Sequence, residues 1–483
     1  LGAAPAADLT VQVAEVPGET ARAVAAANLT GVIVTPGLRR VYPTGALLGP
    51  VLGFAGVATP AELQRWPDLP LGEIVGRAGV EQQYDSILRG VNGQQCVYVN
   101  PAGAPVATAA RREPVPGANL RLSIDLGLQQ KLTSDLAASL PRPQGNRAAI
   151  GGAVAMDPRN GQVLAIASLP SHDNNIYGPP VDSAALQEAQ RAPGQATIEH
   201  VTQAAAPPGS TFKLVVAAAD MVHPVFPPDL VIPTGGSFTL AGHTFNNWSV
   251  LGPQNLPQAI AWSNDVYFYK LAWALGPDAM IDTAHALGVG RPTGIDLPGE
   301  SAGYLGTPDT VGEMGATWYG GSTVILGIGQ GYIQVTPLQN ARWTAGVATG
   351  SLVTPRLGLA TGTESSAYTA LPAPATTPLP FAGSLGPVRA GMRAAVTGGT
   401  ATDLRALPVP AGAKTGTAED LSSPGALDHW MTAAAPMDDP SIVMTAFVQG
   451  PEKVTASPVV ARSMQYYFAH EKEILGTAPM QGR

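Results

Sequence analysis

Three short stretches of the chain carry residue types and spacings that can do chemistry. The first is Ser210-Thr211-Phe212-Lys213, which follows a Pro207-Pro208-Gly209 turn and precedes the apolar run Leu214–Ala219. If the turn starts a helix, Ser210 sits at its N-terminus and Lys213, at i+3, shares its face within hydrogen-bond reach. A serine hydroxyl is a weak nucleophile until a base takes its proton. A lysine amine, at about 10.4 when free, becomes that base only if burial or a second cation lowers its pKa. The helix N-terminus also favours developing negative charge. The plainer alternative is an N-cap serine beside a lysine whose stem snorkels along apolar surface.

The second stretch is Ser263-Asn264-Asp265, ahead of the aromatic run Val266-Tyr267-Phe268-Tyr269. Ser, Asn and Asp are preferred capping residues, so a structural cap competes with a polar, proton-handling role. The third is Lys414-Thr415-Gly416-Thr417, in a segment of strand character. On an edge strand these residues would offer a cation, hydroxyls and an unobstructed backbone N–H, suited to gripping a carboxylate and polarising a carbonyl. The chain has only six lysines, at 131, 213, 270, 414, 453 and 472, so two of them in such motifs are informative.

The elements that must position these groups follow from pattern. Leu126, Leu128, Leu132 and Leu136 predict a helix stopped by Pro141. Apolar runs on either side of Asp157-Pro158-Arg159-Asn160-Gly161 predict a hairpin. Residues 185–345 read as mostly helical segments between Pro/Gly loops. Residues 359–387, rich in Pro, Thr and Ala, read as a surface excursion. After 410, the Lys414 strand and two further strands separated by Met437-Asp438-Asp439-Pro440 lead to a last helix at about 457–474. A hairpin first, helices in the middle and strands last predict an α+β domain whose sheet is completed by both ends of the chain. Upstream, "GQQCVYVNPAGAPVATAA" reads as two strands around Asn100-Pro101-Ala102-Gly103, and "GRAGVEQQYDSILRG" as a short helix ending at Gly90.

At 483 residues, with 56 Gly, 46 Pro and 13% charged residues, the chain is a folded, loop-rich protein with room for two or three domains. Its net charge of −8 and lack of a Lys/Arg cluster argue against a nucleic-acid partner. Cys96 is alone, which excludes an internal disulfide and a Cys-based zinc site. The seven histidines show no metal-ligand spacing, so neither metal nor cofactor is expected, and His429 reads as structural. No run of 18 apolar residues is present. The chain opens on Leu1, which leaves room for an anchor or signal upstream.

Taken together, Ser-x-x-Lys, Ser-x-Asp and Lys-Thr-Gly in this order resemble the motif set of penicillin-interacting serine enzymes. The chain resembles the class B penicillin-binding proteins, monofunctional D,D-transpeptidases, and in its Asp265 the elongation-type branch. The blocks "RVYPTGALLGPVLGFAG", "GRAGVEQQYDSILRGVNGQQ", "VAMDPRNGQVLAIASLPSHDNN", "RPTGIDLPGES" and "LGIGQGYIQVTPLQNA" extend the likeness from about residue 31 to 470. The resemblance implies an antiparallel sheet with helices on both faces and an all-helical subdomain at 121–483. It also implies a smaller, mostly β, non-catalytic domain at 1–120, incomplete at its start. It makes Ser210 the acylated nucleophile, Lys213 its base, and Ser263 and Asp265 a proton relay that also holds the substrate amide. Lys414 sets the site's electrostatics and depresses Lys213, and Thr415, Gly416, Thr417 and Asn264 bind substrate. The N–H groups of Ser210 and Thr417 form an oxyanion hole. The implied partners are D-Ala-D-Ala stem peptides, β-lactams and a membrane glycosyltransferase, at the extracytoplasmic face of a bacterial membrane. A hydrolase acting on the same intermediate and a non-catalytic β-lactam sensor or scaffold are the alternatives. Glu199 and His200 stand where the family often has Asn-Arg, and Asp265 stands where many relatives carry Asn.

Overall fold

Short helices and short strands alternate through the N-terminal region, which is therefore mixed rather than the mostly β unit expected. In the computed structural model, residues 16, 18–34, 40–67, 69–70, 72–101, 105–142, 149–178, 181–363, 367–419 and 425–476 are described. Pro60–Arg65 is helical because Thr59 and Glu62 close a capping box: the Glu62 N–H donates to Thr59 Oγ1 at 3.3 Å and the Thr59 N–H to Glu62 Oε2 at 2.7 Å. That T-x-x-E signal was in the sequence and points away from a strand. The expected helix before Gly90 is two short ones, Gly79–Gln83 and Asp85–Leu88, broken at Tyr84. Strands β1 (Gln94–Val99) and β2 (Pro105–Arg112) pair antiparallel, and their Asn100–Gly103 turn lies partly outside the described residues.

Tyr84 is one of the points where this region is fastened to the rest, beside the Asn174 bond to the Gly49 carbonyl and the Asn175 bonds to Tyr42. The Tyr84 hydroxyl donates to the Asp296 carboxylate, which also accepts the Leu357 N–H at 2.6 Å and the Gly358 N–H at 2.7 Å. A Cβ at position 358 would fall 2.1 Å from the Tyr84 hydroxyl, so only glycine lets the ring in. Beside it, β3 (Asn119–Leu122) pairs with Gly358–Gly362, so the excursion expected at 359–387 begins as a strand with Leu359 and Ala360 buried. Only the stretch beyond it is largely exposed.

The larger part of the chain is built on a five-stranded antiparallel sheet. Helix α1 (Leu126–Ser139) starts at the Asp125 cap, whose Oδ1 accepts the Leu128 N–H at 2.7 Å. It buries Leu128, Leu132 and Leu136 and leaves Leu126 exposed. Strands β4 (Gly151–Met156) and β5 (Val163–Leu169) form the expected hairpin, its turn closed by Asp157 binding the Arg159 guanidinium at 2.7 and 2.9 Å. The middle is helical: α2 (Lys213–Val222), α3 (Asp265–Ala286, bent at Gly276-Pro277) and α4 (Pro337–Thr349). An unexpected hairpin interrupts it between α2 and α3, Ser237–Leu240 against His243–Asn246. Its turn residues Ala241 and Gly242 have φ of 47° and 81°, a combination typical of two-residue hairpins.

Strands β6 (Gly412–Glu419), β7 (Leu427–Ala435) and β8 (Ile442–Gly450) complete the sheet, in the order β6-β7-β8-β4-β5. Helix α5 (Ser457–Gly476) closes the chain. Side chains alternate across the sheet with period two. Val154, Met156, Trp430, Val443 and Phe447 join the core shared with α2 and α4. Ala153, Ala155, Met431, Ala433 and Met444 face α1 and α5. Both ends of the chain thus supply strands, and β6 is an edge. Replacing Tyr84 by Phe leaves the half-buried Asp296 carboxylate short of one partner. It is expected to lower stability by about 1.5–3 kcal/mol, measured as the shift of the urea unfolding transition.

Candidate active site

Ser210 lies in a 3₁₀ turn, Gly209–Phe212, that runs directly into α2. Residues i and i+3 eclipse in such a turn, which puts Ser210 and Lys213 on one face. The turn is held on three sides. The Gly209 N–H donates to the Gly329 carbonyl at 2.9 Å, the Trp430 indole N–H to the Pro207 carbonyl at 2.9 Å, and Thr211 Oγ1 to the Pro208 carbonyl at 2.8 Å. Asn340 of α4 in turn donates to Thr211 at 2.9 Å. Gly209 has φ of 52°, and a Cβ there would sit 2.5 Å from the Thr417 carbonyl. A Cβ at Gly416 would sit 2.9 Å from the Pro208 carbonyl, so glycine at both places is what lets the turn lie against β6.

Lys213 and Lys414 are both without exposed surface. Lys213 Nζ donates to the Ser263 carbonyl at 2.8 Å, to Ser263 Oγ at 3.3 Å and to Asp265 Oδ1 at 2.6 Å. Three acceptors match the three donors of an ammonium. Phe268 adds its ring face, 5.4 Å from Nζ. Lys414 Nζ lies 2.8 Å from Ser263 Oγ and 2.8 Å from the Thr415 carbonyl. Ser263, buried and at φ of 55°, therefore bridges the two amines through one oxygen.

Burial draws the Lys213 pKa below its ordinary value, and the Asp265 carboxylate pulls it back up. Burial also holds Lys414 well below its ordinary value, and there the charge of Lys213 lowers it further. The repulsion between two ammoniums is mutual, and the Asp265 carboxylate that opposes it lies 2.6 Å from Lys213. Among the described residues no hydrogen bond joins Ser210 Oγ to Lys213 Nζ, whose donors are taken by Ser263 and Asp265.

Two expected substrate contacts are also corrected or narrowed. Asn264 is fully buried, with Nδ2 donating to Thr234 and Gln254 and Oδ1 accepting from Asn247 and the Tyr267 N–H. It caps α3 and has no free group for substrate. Thr415 pairs its hydroxyl with Thr400 at 2.8 Å. Thr417 is exposed and Gly416 lies under the Ser210 turn. His429 binds the Pro451 carbonyl at 3.1 Å.

Sequence reasoning missed Asn247, whose Oδ1 accepts the Asp265 N–H at 3.1 Å and whose Nδ2 donates to Asn264 at 3.0 Å. The alternation in Phe238–Phe245 was the available signal, since the hairpin delivers that residue. Glu199, buried and pushed up to about 7 by that burial, caps its own turn by accepting the Thr202 N–H at 2.7 Å.

An antiparallel sheet with helices on both faces, a Ser-x-x-Lys turn and a buried lysine on the facing edge strand define a penicillin-interacting serine enzyme. Comparison with known proteins makes this specific. Residues 151–465 match the penicillin binding protein transpeptidase domain and residues 7–122 the penicillin-binding protein dimerisation domain, and the chain belongs to this family of transpeptidases. The peptidoglycan D,D-transpeptidase MrdA of Haemophilus influenzae is 30% identical over 468 residues, spanning 90% of this chain and 70% of that one. Among solved structures, the Helicobacter pylori complex between penicillin-binding protein PBP2 and MreC contains a similar chain. Its TM-score is 0.83 at 26% identity, covering 95% of this chain and 84% of that one. A chain of a peptidoglycan synthase complex that coordinates polymerization and crosslinking gives 0.77 at 29% identity, covering 94% and 80%.

Two outcomes test this geometry. Gly209→Ala pushes the turn off the Thr417 carbonyl and should slow acylation by a labelled penicillin about 100-fold, the cost of a misplaced nucleophile. Asp265→Asn removes the charge that favours the Lys213 ammonium. Because acylation needs the free amine, the rate rises as pH passes through the lysine pKa. That rising limb should move to lower pH in the variant, read from the pH profile of the second-order acylation rate.

Proposed function

We propose that this protein is a peptidoglycan D,D-transpeptidase acting through an acyl-enzyme at Ser210. The observation that carries the reading is the Lys213–Ser263–Lys414 hydrogen-bond chain, closed to solvent and placed beside the Ser210 turn. Burial holds the Lys414 pKa well down and so favours its neutral amine, which has a lone pair to accept a proton. A substrate carboxylate at Lys414 would favour its ammonium. Lys414 can thus take the Ser263 proton while Ser263 takes one from Lys213. This leaves a free Lys213 amine to deprotonate Ser210 as its Oγ attacks the penultimate D-Ala carbonyl. The N–H groups of Ser210 and Thr417 would receive the oxyanion, each such donor being worth about 3 kcal/mol. Lys414, Thr417 and, on its outer side, Thr415 would hold the terminal carboxylate. The C–N bond breaks, terminal D-Ala leaves with the relayed proton, and a second peptide's amine takes the acyl group. A β-lactam would be attacked in the same way and stay bound.

The similarity to chains from a MreC complex and a peptidoglycan synthase complex supports a place in a cell-wall assembly. We place the protein at the extracytoplasmic face of the membrane, working beside a glycosyltransferase, with residues 1–120 as a non-catalytic pedestal. No helix among the described residues is long and apolar enough to cross a membrane. Intact-mass measurement over hours with a labelled penicillin tests the enzyme reading. A stable adduct that is lost in Ser210→Ala is expected. Rapid turnover would make the protein a hydrolase, and no adduct would sink both enzymatic readings.

A further inference from the structure

Trp273, Tyr319 and Tyr368 are exposed large aromatic side chains of the catalytic region, as are Trp248 and Trp262, at 58% and 42%. These last two are not scattered. Trp262 immediately precedes Ser263, and the Trp248 indole N–H donates to the Trp262 carbonyl at 3.2 Å. Trp248 is also bolted to the second motif from its own side. Its N–H donates at 3.1 Å to Asn247 Oδ1, the same atom that accepts the Asp265 N–H. Two exposed indoles thus belong to residues tied to the second motif, Trp262 by sequence and Trp248 by its hydrogen bonds, and the Asp265 side chain of that motif retains 15% of its exposure. Isolated exposed apolar residues need no explanation, but a hydrogen-bonded pair fixed at the rim of a reaction site does.

An indole face attracts a cation more strongly than any other side-chain ring. The acceptor in a transpeptidation arrives as a primary ammonium and must reach the acyl-enzyme as a free amine. The leaving amine of the first half-reaction departs past Ser263, and by microscopic reversibility the incoming amine approaches the same way. We propose that Trp248 and Trp262 form the docking face for the acceptor, the alkylammonium side chain of a second stem peptide. The proposal rests on the acyl-transfer reading above. The ammonium loses one proton before attack. Its nitrogen then forms the new C–N bond as the Ser210 ester C–O bond breaks, and a second nitrogen proton returns to Ser210 Oγ. The product is an amide, a free serine and one proton passed to the amine relay.

The test uses the whole chain, a D-Ala-D-Ala-ended tripeptide as donor and Nα-acetyl-lysine amide as acceptor probe. The readout is the ratio of aminolysis to hydrolysis, which does not depend on how fast the acyl-enzyme forms. Trp248→Ala and Trp262→Ala should each lower that ratio roughly fivefold to tenfold at subsaturating acceptor, and Trp248→Phe should restore part of it. With aminoacetonitrile, an amine uncharged at the assay pH, the same substitutions should leave the ratio nearly unchanged. Equal losses with both amines would mean that the indoles only shape the loop, and no loss with either would mean that they take no part; both overturn the proposal. A wild-type protein that forms no acyl-enzyme would instead overturn the transfer reading on which it rests.

Discussion

Two lysine side chains with no exposed surface meet at one serine hydroxyl, and much of the surrounding fold answers the cost of that meeting. Burying one ammonium costs several kcal/mol even after relaxation, and burying two side by side costs more than either alone. One carboxylate, Asp265, is in contact to offset it. The stable charge state therefore pairs one ammonium with one carboxylate and leaves the other amine neutral. Geometry says which is which. Lys213 has the carboxylate and three acceptors, while Lys414 has the serine hydroxyl and a backbone carbonyl. Ser263 can serve both because its φ of 55° turns its carbonyl and its hydroxyl toward the same Lys213 amine. That backbone conformation costs a non-glycine residue on the order of 1–3 kcal/mol and persists only where its surroundings over-determine it. Here Asn264 supplies the restraint, with its amide saturated by Thr234, Gln254 and Asn247.

The same logic explains the glycines around the nucleophile. Ser210 must stand close to β6, and the turn that carries it packs from its first residues against β6 and β7. Gly209 touches the Thr417 carbonyl, Gly416 touches the Pro208 carbonyl, and a Cβ at Gly329 would lie 2.2 Å from the Gly209 carbonyl. Backbone meets backbone at all three places, so no side chain can yield to make room. A Ser-x-x-Lys sequence alone would give a capped helix with a lysine on it. The close approach to the edge strand is what puts the pair beside the second amine.

Much of this was legible in the sequence, for identifiable reasons. The Asp157–Gly161 hairpin, the last strands and α1 follow from local pattern, and the motifs together named the chemistry. What escaped notice depends on contacts distant along the chain. Asn264 reads equally well as a cap or as a substrate ligand until Thr234, Gln254 and Asn247 are seen around it. Leu359 and Ala360 looked like part of a Pro-rich excursion because their partner strand, Asn119–Leu122, lies more than two hundred residues upstream. Which lysine the aspartate touches was equally hidden, since sequence gives two lysines and one aspartate but not their pairing.

That last point changes the role of Asp265. Read from sequence, a carboxylate near Lys213 opposes the base. In the folded site it lies 2.6 Å from Lys213 and favours an ammonium there, while burial and the charge of Lys213 disfavour one at Lys414. In the proposed reaction the substrate brings a second carboxylate, to Lys414. That charge favours an ammonium at Lys414, and the nearest proton belongs to Ser263, which is itself hydrogen-bonded to Lys213. Substrate binding then draws a proton along the chain and frees the Lys213 amine at the moment Ser210 needs it. Asp265 and the base are thus compatible: the aspartate keeps the amine charged until a carboxylate arrives on the other side of the serine.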